Sequence, residues 1–545
     1  MKRITVFLFS IALSLNLMAE DYLRLAISAS EQGDYETVIE YTTQHLAVYP
    51  KDAQAYYYRA LAYAIENEYG KALKDATNAV TYWDKKTKGL ALADVYGLRA
   101  WIYEQVEDFE KALEDHNAAV KKDKSNVDSY TSRAAYYYRL DKYDLASEDY
   151  RVAMAMQPDS SVWKIEAARC LLALGDYAQA DSLLTPVTKL EPRNEEARRL
   201  LAVACYYKDD KKAFVDNYLI YLDIADGGEL SLLAMVAVEG EYEYVIRSIA
   251  RLLATTQNKT YWYGVRARIN RENRHYEEAI SDLNRMELQY GDSIENPFVF
   301  YQMAQCYEGL YDFPKTIEYY NRLIEYLQKH DREADIYYIN RATAYCNNGE
   351  FEKAYKDLDQ AWQIATTATS RIHFVRGCCH EMEHKYKDAF EDFNKAINMN
   401  DGVSGIMYLF RGKYYLLYKN DTLRANADFE KVLTMDTIVQ AQTCRHYALA
   451  YLGRYAEAES WMAQVIEAYP YPESYYDAAC LYSRMSQEEK SIDYLTTAFN
   501  LGYRNMVHVA RDNDLDAIRN RDDFKELLLQ YQKEKVKSLL EQLTF

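Results

Sequence analysis

Apolar and small side chains recur at helical spacing along most of the chain, as in Tyr56, Ala60 and Tyr63 or Tyr130, Ala134 and Tyr137. Residues three and four apart share one face of a helix, so each set predicts an amphipathic helix with a narrow point at the alanine. A second helical stretch follows each of these, marked by Ala72 and Ala79, Ala112 and Ala119, Ala146 and Ala153, or Ala389 and Ala396. A short turn separates the two stretches: Gly33-Asp34-Tyr35, Gly175-Asp176-Tyr177, Gly240-Glu241-Tyr242, Gly349-Glu350-Phe351 and Gly453-Arg454-Tyr455, with Asn67-Glu68-Tyr69, Glu107-Asp108-Phe109 and Asp141-Lys142-Tyr143 as degenerate copies. The unit returns at roughly 34-residue intervals, giving about fourteen helix-turn-helix units between residues 20 and 505. Such a unit cannot bury its apolar face alone and must stack on its neighbours, which predicts an all-α solenoid.

Breaks in the pattern are few. The sequence holds 18 Gly and 8 Pro in 545 residues, with no Pro/Gly/Ser-rich linker that would divide it into globular domains. Pro50, Pro158, Pro192 and Pro470 fall just after second helices, where proline cannot continue a helix. The unit at 195–225 departs most from the pattern, because Lys211 stands where the turn aromatic belongs, and irregular stacking is expected there. Longer spacings at Trp83 to Leu92, Gln289 to Asn296 and Leu327 to Ala334 predict lengthened helices or loops.

A charged regularity runs through the same units. Arg59, Arg99, Arg133, Arg266, Arg341, Arg376 and Arg411 occupy the seventh position of the first helix, and Asp75, Asp115, Asp149, Asp282, Asp357, Asp392 and Asp428 lie in the second helices of the same units. Units with Ala167 or Met303 at the seventh position lack the Asp as well, and Arg445, facing Trp461, breaks the rule. Co-occurrence within a unit predicts an Arg-carboxylate bridge between its two helices, extending to the next unit. Since each Arg arrives with its own neutralising Asp, the row is structural rather than an anion site.

These turn residues, alanines and aromatic positions together resemble the tetratricopeptide repeat family, of an exported bacterial type, over residues 20–505. The resemblance implies a right-handed superhelical solenoid whose inner wall comes mainly from the first helices. It points to Tyr57, Leu61, Trp101, Glu104, Thr131, Tyr138, Ile165, Arg169, Tyr261, Arg268, Arg271, Tyr301, Gln305, Phe374, Lys413 and Tyr447 as concave-surface residues. The Lys and Asn set that serves the family as a two-carboxylate clamp is absent at the matching positions. After Leu501-Gly502-Tyr503 the period stops, and residues 506–545 resemble the short helical tail that closes bacterial arrays of this family by covering the last repeat.

Charge and composition narrow the partner. The formal net charge of −19 becomes −21 once Lys2 and Arg3 are removed with an N-terminal leader, since residues 1–19 hold no acid. Such a field repels nucleic acid and anionic lipid, so a basic or neutral partner is expected. Residues 1–19 read as a secretory signal peptide: Met1-Lys2-Arg3, an apolar run from Ile4 to Met18, and Ala19 before Glu20-Asp21. Cleavage near Ala19 predicts a periplasmic or secreted chain, and no later stretch is apolar enough to span a bilayer. The eight Cys all fall within predicted first helices, nearly all in separate units, without a CxxC, so mostly buried free thiols are expected in place of disulfides or a zinc ribbon.

One motif belongs to chemistry. His380-Glu381-Met382-Glu383-His384 fits HExxH, in which two His bind zinc and the Glu acts on a water, and His373 lies a heptad earlier. Register opposes a zinc-dependent hydrolase, since His380 holds a core-Tyr position and His384 the inter-helix turn. No nucleophile elbow, phosphate loop, dinucleotide fingerprint or calcium-loop spacing is present, so the chain reads as non-catalytic and without a cofactor. The expected function is a scaffold that binds a protein or peptide along the concave wall. The same aromatic mixture also suits a glycan or other polymer.

Overall fold

The computed structural model describes residues 21–225, 227–228, 230–290, 296–365, 369–399, 404–440 and 443–531. The signal-peptide segment and the end of the tail lie outside these residues. Among the described residues the regular structure is helical throughout, with no strand. The chain divides into two compact units, residues 1–229 and 230–545.

The first unit holds six helix pairs: residues 21–31 with Tyr35–Val48, Ala53–Ile65 with Tyr69–Tyr82, Leu92–Gln105 with Phe109–Lys122, Val127–Arg139 with Tyr143–Met156, Ser161–Ala173 with Tyr177–Leu190, and Glu195–Tyr207 with Lys211–Ile224. One device makes each turn. A residue in the left-handed region closes the first helix, as at Gly33 (φ 75°), Asn67 (φ 60°), Glu107 (φ 59°) and Asp141 (φ 56°). The next residue then bonds back over the turn, Glu68 N–H to the Tyr63 carbonyl at 2.8 Å and Asp108 N–H to that of Tyr103 at 2.9 Å. These bonds satisfy carbonyls that the helix end would orphan, and the αL residue is what lets the chain reverse. Asp34, Asp108, Asp176 and Asp210 then cap the second helix through its third N–H.

The second unit holds eight pairs. Ser231–Val236 and Tyr242–Leu253 open it; Lys259–Glu272 with Tyr276–Tyr290, Pro297–Gly309 with Phe313–Lys329, Asp335–Asn347 with Phe351–Ile364, Thr369–Met382 with Tyr386–Met399, Gly405–Leu417 with Thr422–Met435, Arg445–Tyr451 with Tyr455–Ala468, and Pro472–Arg484 with Glu488–Asn500 follow. The small position of the first helix is where the partner helix comes closest. At Gly412 even a methyl group would lie 2.6 Å from the Phe429 ring.

Irregularity falls elsewhere than the sequence suggests. Residues 195–225 form two full helices, because Phe214, buried against Tyr206 and Tyr218 at ring separations of 5.4 and 5.0 Å, fills the gap left by Lys211. The departure lies in the next pair, where Ser231–Val236 is short, Ala237–Glu241 forms a π-turn, and Gly240 sits at φ 108°. Of the long spacings, Trp83 to Leu92 contains a loop closed by Trp83 Nε1 donating to the Leu90 carbonyl at 3.0 Å, and Phe313–Lys329 is a lengthened helix. The eight cysteines are free, seven of them buried; Cys444 caps the start of its helix instead of lying within it.

Beyond the last pair the chain continues through Met506–Arg511, the 3₁₀ turn Asn513–Leu515 and a helix over 522–531. Leu515, Ile518, Phe524 and Tyr531 bury themselves against Tyr476, Cys480, Leu495 and Phe499. The tail thereby covers the apolar face that the last repeat would otherwise expose.

Candidate functional site

The Arg and Asp residues that co-occur in sequence form forked pairs. Nε and Nη2 of Arg59 donate to Asp75 at 2.6 and 3.1 Å, those of Arg99 to Asp115 at 2.6 and 2.8 Å, and those of Arg133 to Asp149 at 2.8 and 2.7 Å. Arg266 with Asp282, Arg341 with Asp357, and Arg411 with Asp428 repeat the geometry within 2.8 Å. The Asp side chains are buried, while the guanidinium edges stay partly wet. Nη1 reaches back to the second helix of the preceding unit, not the next one: to Thr43 from Arg59, Asn117 from Arg133, Asn321 from Arg341 and Asn394 from Arg411, at 2.7 to 3.1 Å. Each pair therefore fixes one unit internally, and those of Arg59, Arg133, Arg341 and Arg411 also register it on its neighbour. Arg445, without an Asp, stacks on Trp461 at 4.9 Å and donates to the Leu433 and Asp436 carbonyls.

In the unit of Arg376, His373 and the first histidine of the HExxH stretch, His380, join this motif. Asp392 accepts from Arg376 at 2.8 to 3.1 Å and bonds the Nδ1 atoms of His373 at 2.8 Å and His380 at 3.1 Å. These contacts hold the Asp392 carboxyl well below the usual range, against its own burial. His384 lies past the helix end at φ 62° and bonds the Tyr386 hydroxyl at 2.6 Å. Among the described residues no three His, Cys, Asp or Glu side chains are arranged to hold a metal ion.

The residues of the first unit expected on the inner wall differ in exposure and partners. Trp101 is exposed and Tyr57 half-buried, with burial pushing the Tyr57 hydroxyl up to about 12. Tyr138 packs edge-on to Tyr143 at 5.1 Å. Glu104 bonds Arg139 and His116, and Arg169 bridges Glu166 at 3.3 Å and Glu196 at 3.0 Å. In the second unit Tyr261 packs on Trp262, Arg268 and Arg271 share Glu272, and Tyr301 meets Tyr337 edge-on at 5.9 Å.

The first helices from Asp335–Asn347 to Pro472–Arg484 wall a cavity of about 710 Å³. Phe374, Ile406, Leu409, Phe410 and Tyr447 supply apolar lining, and Glu381, Lys413 and Asp477 supply charge. Residues Tyr503 to Asp514 of the tail close one side. Asn505 donates to Asn347 at 3.1 Å, Arg511 to the Met382 carbonyl at 2.9 Å, and the Tyr476 hydroxyl to Asp512 at 2.8 Å. Lys413, expected to face a partner, is instead buried and donates to Asp514 at 2.9 Å, with Glu381 3.5 Å away. Burial alone would lower the Lys413 pKa, but Asp514, together with Tyr451, Glu381 and Asp512, reverses this and holds the ammonium well above its usual value. Tyr447 likewise turns inward and donates to Asp477 at 3.0 Å. Burial pushes both Glu381 and Asp477 up to about 7, with Asp512 and Asp514 adding repulsion.

Of the residues expected on the concave surface, Phe374, Lys413 and Tyr447 line this cavity, and Glu381 as a groove acid, Asp477, Phe410 and the tail were not expected there. The signal was present in register: Glu381 and Asp477 sit on first helices, in the same wall as the aromatic positions. The tail was read as a lid on the last repeat; its polar stretch also lines this cavity.

Tetratricopeptide repeat models match residues 23–83 and 137–204. DnaJ homolog subfamily C member 7 of Mus musculus is 24% identical over 389 residues, which span 62% of this chain and 77% of the relative. Serine/threonine-protein phosphatase 5 of Rattus norvegicus is 30% identical over 105 residues, 19% of this chain and 21% of the relative. Among solved structures, a tetratricopeptide repeat protein from Parabacteroides merdae aligns over 53% of this chain and 99% of its own, at 14% identity and a TM-score of 0.31. The Cut9-Hcn1 assembly aligns over 94% of this chain and 96% of its own, also at 14% identity and 0.31. Over those two matched stretches the chain is similar to tetratricopeptide repeats.

Proposed function

We propose that the chain is an exported, non-catalytic scaffold that binds a protein or peptide partner along the inner walls of its helix pairs. The observation that carries this reading is the lining of those walls: exposed Trp101 and half-buried Tyr57 in the first unit, and an aromatic cavity of about 710 Å³ in the second. Large amphipathic rings give contact area at little entropic cost, and concave pockets of this size suit a side chain or short segment. The Arg row adds no catalytic or anion-binding chemistry, since its members are consumed by Asp partners. The net charge of −19 favours a basic or neutral partner. The N-terminal sequence favours work in the periplasm or outside the cell.

The test is capture from envelope extract with the full chain and with a Trp101→Ala, Tyr138→Ala double variant, combined with photo-crosslinking from position 101. A partner that crosslinks at 101 and is lost from the variant supports the reading. Capture that ignores both substitutions overturns it for this wall, and retention of purified glycan strands without protein would make the wall a polymer-binding surface.

A further inference from the structure

The cavity of the second unit carries more acid than its cations neutralise. Glu473, on its rim, is taken by Arg274, whose Nη2 donates to both carboxylate oxygens at 2.8 and 2.7 Å. Asp514 receives Lys413 and the Tyr451 hydroxyl, at 2.9 and 2.7 Å. Asp512 receives the Tyr476 hydroxyl at 2.8 Å and the Asp514 N–H at 2.9 Å, with His508 Nε2 3.4 Å away. Arg511 lines the cavity too, but its guanidinium is turned to the Met382 carbonyl and the Phe351 ring.

Asp436, also in the lining, receives the Cys444 N–H at 2.8 Å, the Cys444 thiol at 3.0 Å and the Thr443 hydroxyl at 3.4 Å, which leaves Glu381 and Asp477 as the least compensated carboxylates. Glu381 has only a share in Lys413, at 3.5 Å, and that lysine is already committed to Asp514 at shorter range. Asp477 holds a single hydrogen bond, from the Tyr447 hydroxyl to Oδ1; among the described residues Oδ2 has no donor. A buried carboxylate with one neutral donor is poorly compensated, and burial without a counter-charge costs more than a lost hydrogen bond. Both residues line an open volume rather than packed core, so the missing partner has somewhere to sit. Phe374, Phe410 and Tyr447 line the same volume, and aromatic faces attract cations.

We propose that this cavity binds an organic cation, an alkylammonium or guanidinium group that pairs with Asp477 and Glu381 and rests its apolar stem on Phe374, Phe410 and Tyr447. The volume exceeds one such group, so the cation can arrive as the Lys or Arg side chain of an extended segment or as a free amine. The recognition chemistry is the same in both cases. The proposal goes beyond the scaffold reading, because it stands on the cavity of the second unit whatever the wall of the first unit binds.

The experiment is calorimetric titration of the full chain at pH 8 with n-butylammonium, with n-butanol as uncharged isostere, and with two acetylated, amidated pentapeptides that differ only in a central lysine or norleucine. Binding of at least one cationic probe is expected, weakened about tenfold in its uncharged counterpart and in Asp477→Asn or Glu381→Gln, the loss expected when a charge-assisted bond is removed. Binding of the lysine peptide without the free amine assigns the cation to a partner segment, and the reverse assigns it to a free amine. No binding of either cation, equal binding of charged and uncharged probes, or full binding by both variants overturns the proposal. Asn and Gln keep the size of the side chains they replace, and Asn can still accept from Tyr447; a matching circular dichroism spectrum for each variant secures the comparison. Absence of cation binding by the parent chain, with the Trp101 crosslink intact, would refute the cation site alone.

Discussion

Lys413 Nζ lies 2.9 Å from Asp514 Oδ2, joining the inner face of helix Gly405–Leu417 to a tail residue 101 positions later. Both side chains are buried, and the Tyr451 hydroxyl completes the acid's environment at 2.7 Å. A single inward lysine thereby holds the polar turn of the tail against the wall, while Phe524 and Tyr531 hold its apolar part against the last repeat. Lys413→Met should strand the charges of buried Asp514 and half-buried Glu381 and cost about 3 kcal/mol of unfolding free energy. Urea melts measure that loss, and hydrogen exchange should show faster opening of residues 505–515 than of the Phe524 region. Uniform exchange across both segments would mean that the pair does not hold the tail.

The Arg-Asp forks make a second prediction, because they differ sharply in burial from the surface pairs. Asp149 is 5% exposed and receives both Nε and Nη2 of Arg133. Removing that guanidinium in Arg133→Met leaves the acid uncompensated and frees Asn117 of the preceding unit, so a loss of about 3 kcal/mol is expected. Arg454 and Glu457 form an equally short contact on the surface, where solvent screens it. Arg454→Met should leave the melting curve unchanged, and equal effects of the two substitutions would refute the role of desolvation.

The contrast explains what the sequence could disclose. Periodicity at Tyr130, Ala134 and Tyr137 specifies a helix face, and the pairing of Arg133 with Asp149 is visible because both recur at fixed offsets. The irregular pair at 231–253 was not visible, since the chain there keeps its turn signature Gly240-Glu241-Tyr242 while the preceding helix is short and ends in a π-turn. Lys211 misled in the opposite sense. It removes a turn aromatic, but Phe214 three residues on restores the packing. The inward course of Asp512 to Asp514 was hidden for a different reason: it depends on Lys413, 101 positions away, and no local pattern reports so distant a counter-charge.

Glu381 and Asp477 predict an uncommon pH response. Burial raises both to about 7, with Asp512 and Asp514 repelling each and Glu473 adding to the effect at Asp477, while Lys413 opposes it at Glu381 and the Tyr447 hydroxyl at Asp477. In the unfolded chain both titrate near the ordinary carboxylate value of about 4. Between those limits the folded state holds protons that the unfolded state has released, so stability falls as pH rises from about 4 to about 7. Asp392 has the opposite sign, its lowered pKa giving stability that is lost only as pH falls below the ordinary carboxylate range. Asp477→Asn removes one group from the first set. Relative to the parent chain it should gain stability on going from pH 5 to pH 8, seen as a melting-temperature difference that grows with pH; a constant difference would mean that Asp477 stays ionised throughout.

Gly412 tests how tightly the paired helices are set. A methyl group there would lie 2.6 Å from Phe429 Cε1 and 3.0 Å from Cδ1, on a ring that is fully buried and stacked on Tyr451 at 4.9 Å. The ring therefore has little room to retreat. Gly412→Ala gains about 1 kcal/mol of helix propensity, but overpacking of this kind costs about 1 to 3 kcal/mol. The balance should be neutral to destabilising, against the usual stabilising sign for Gly to Ala in a helix interior. Phe429→Leu shrinks the opposing side chain, so the same alanine should be better tolerated in that background than in the parent. A double-mutant cycle by urea denaturation reads this as a coupling between the two sites. Additive effects would show that the helices separate freely at this contact, and that the small position is not what sets their approach.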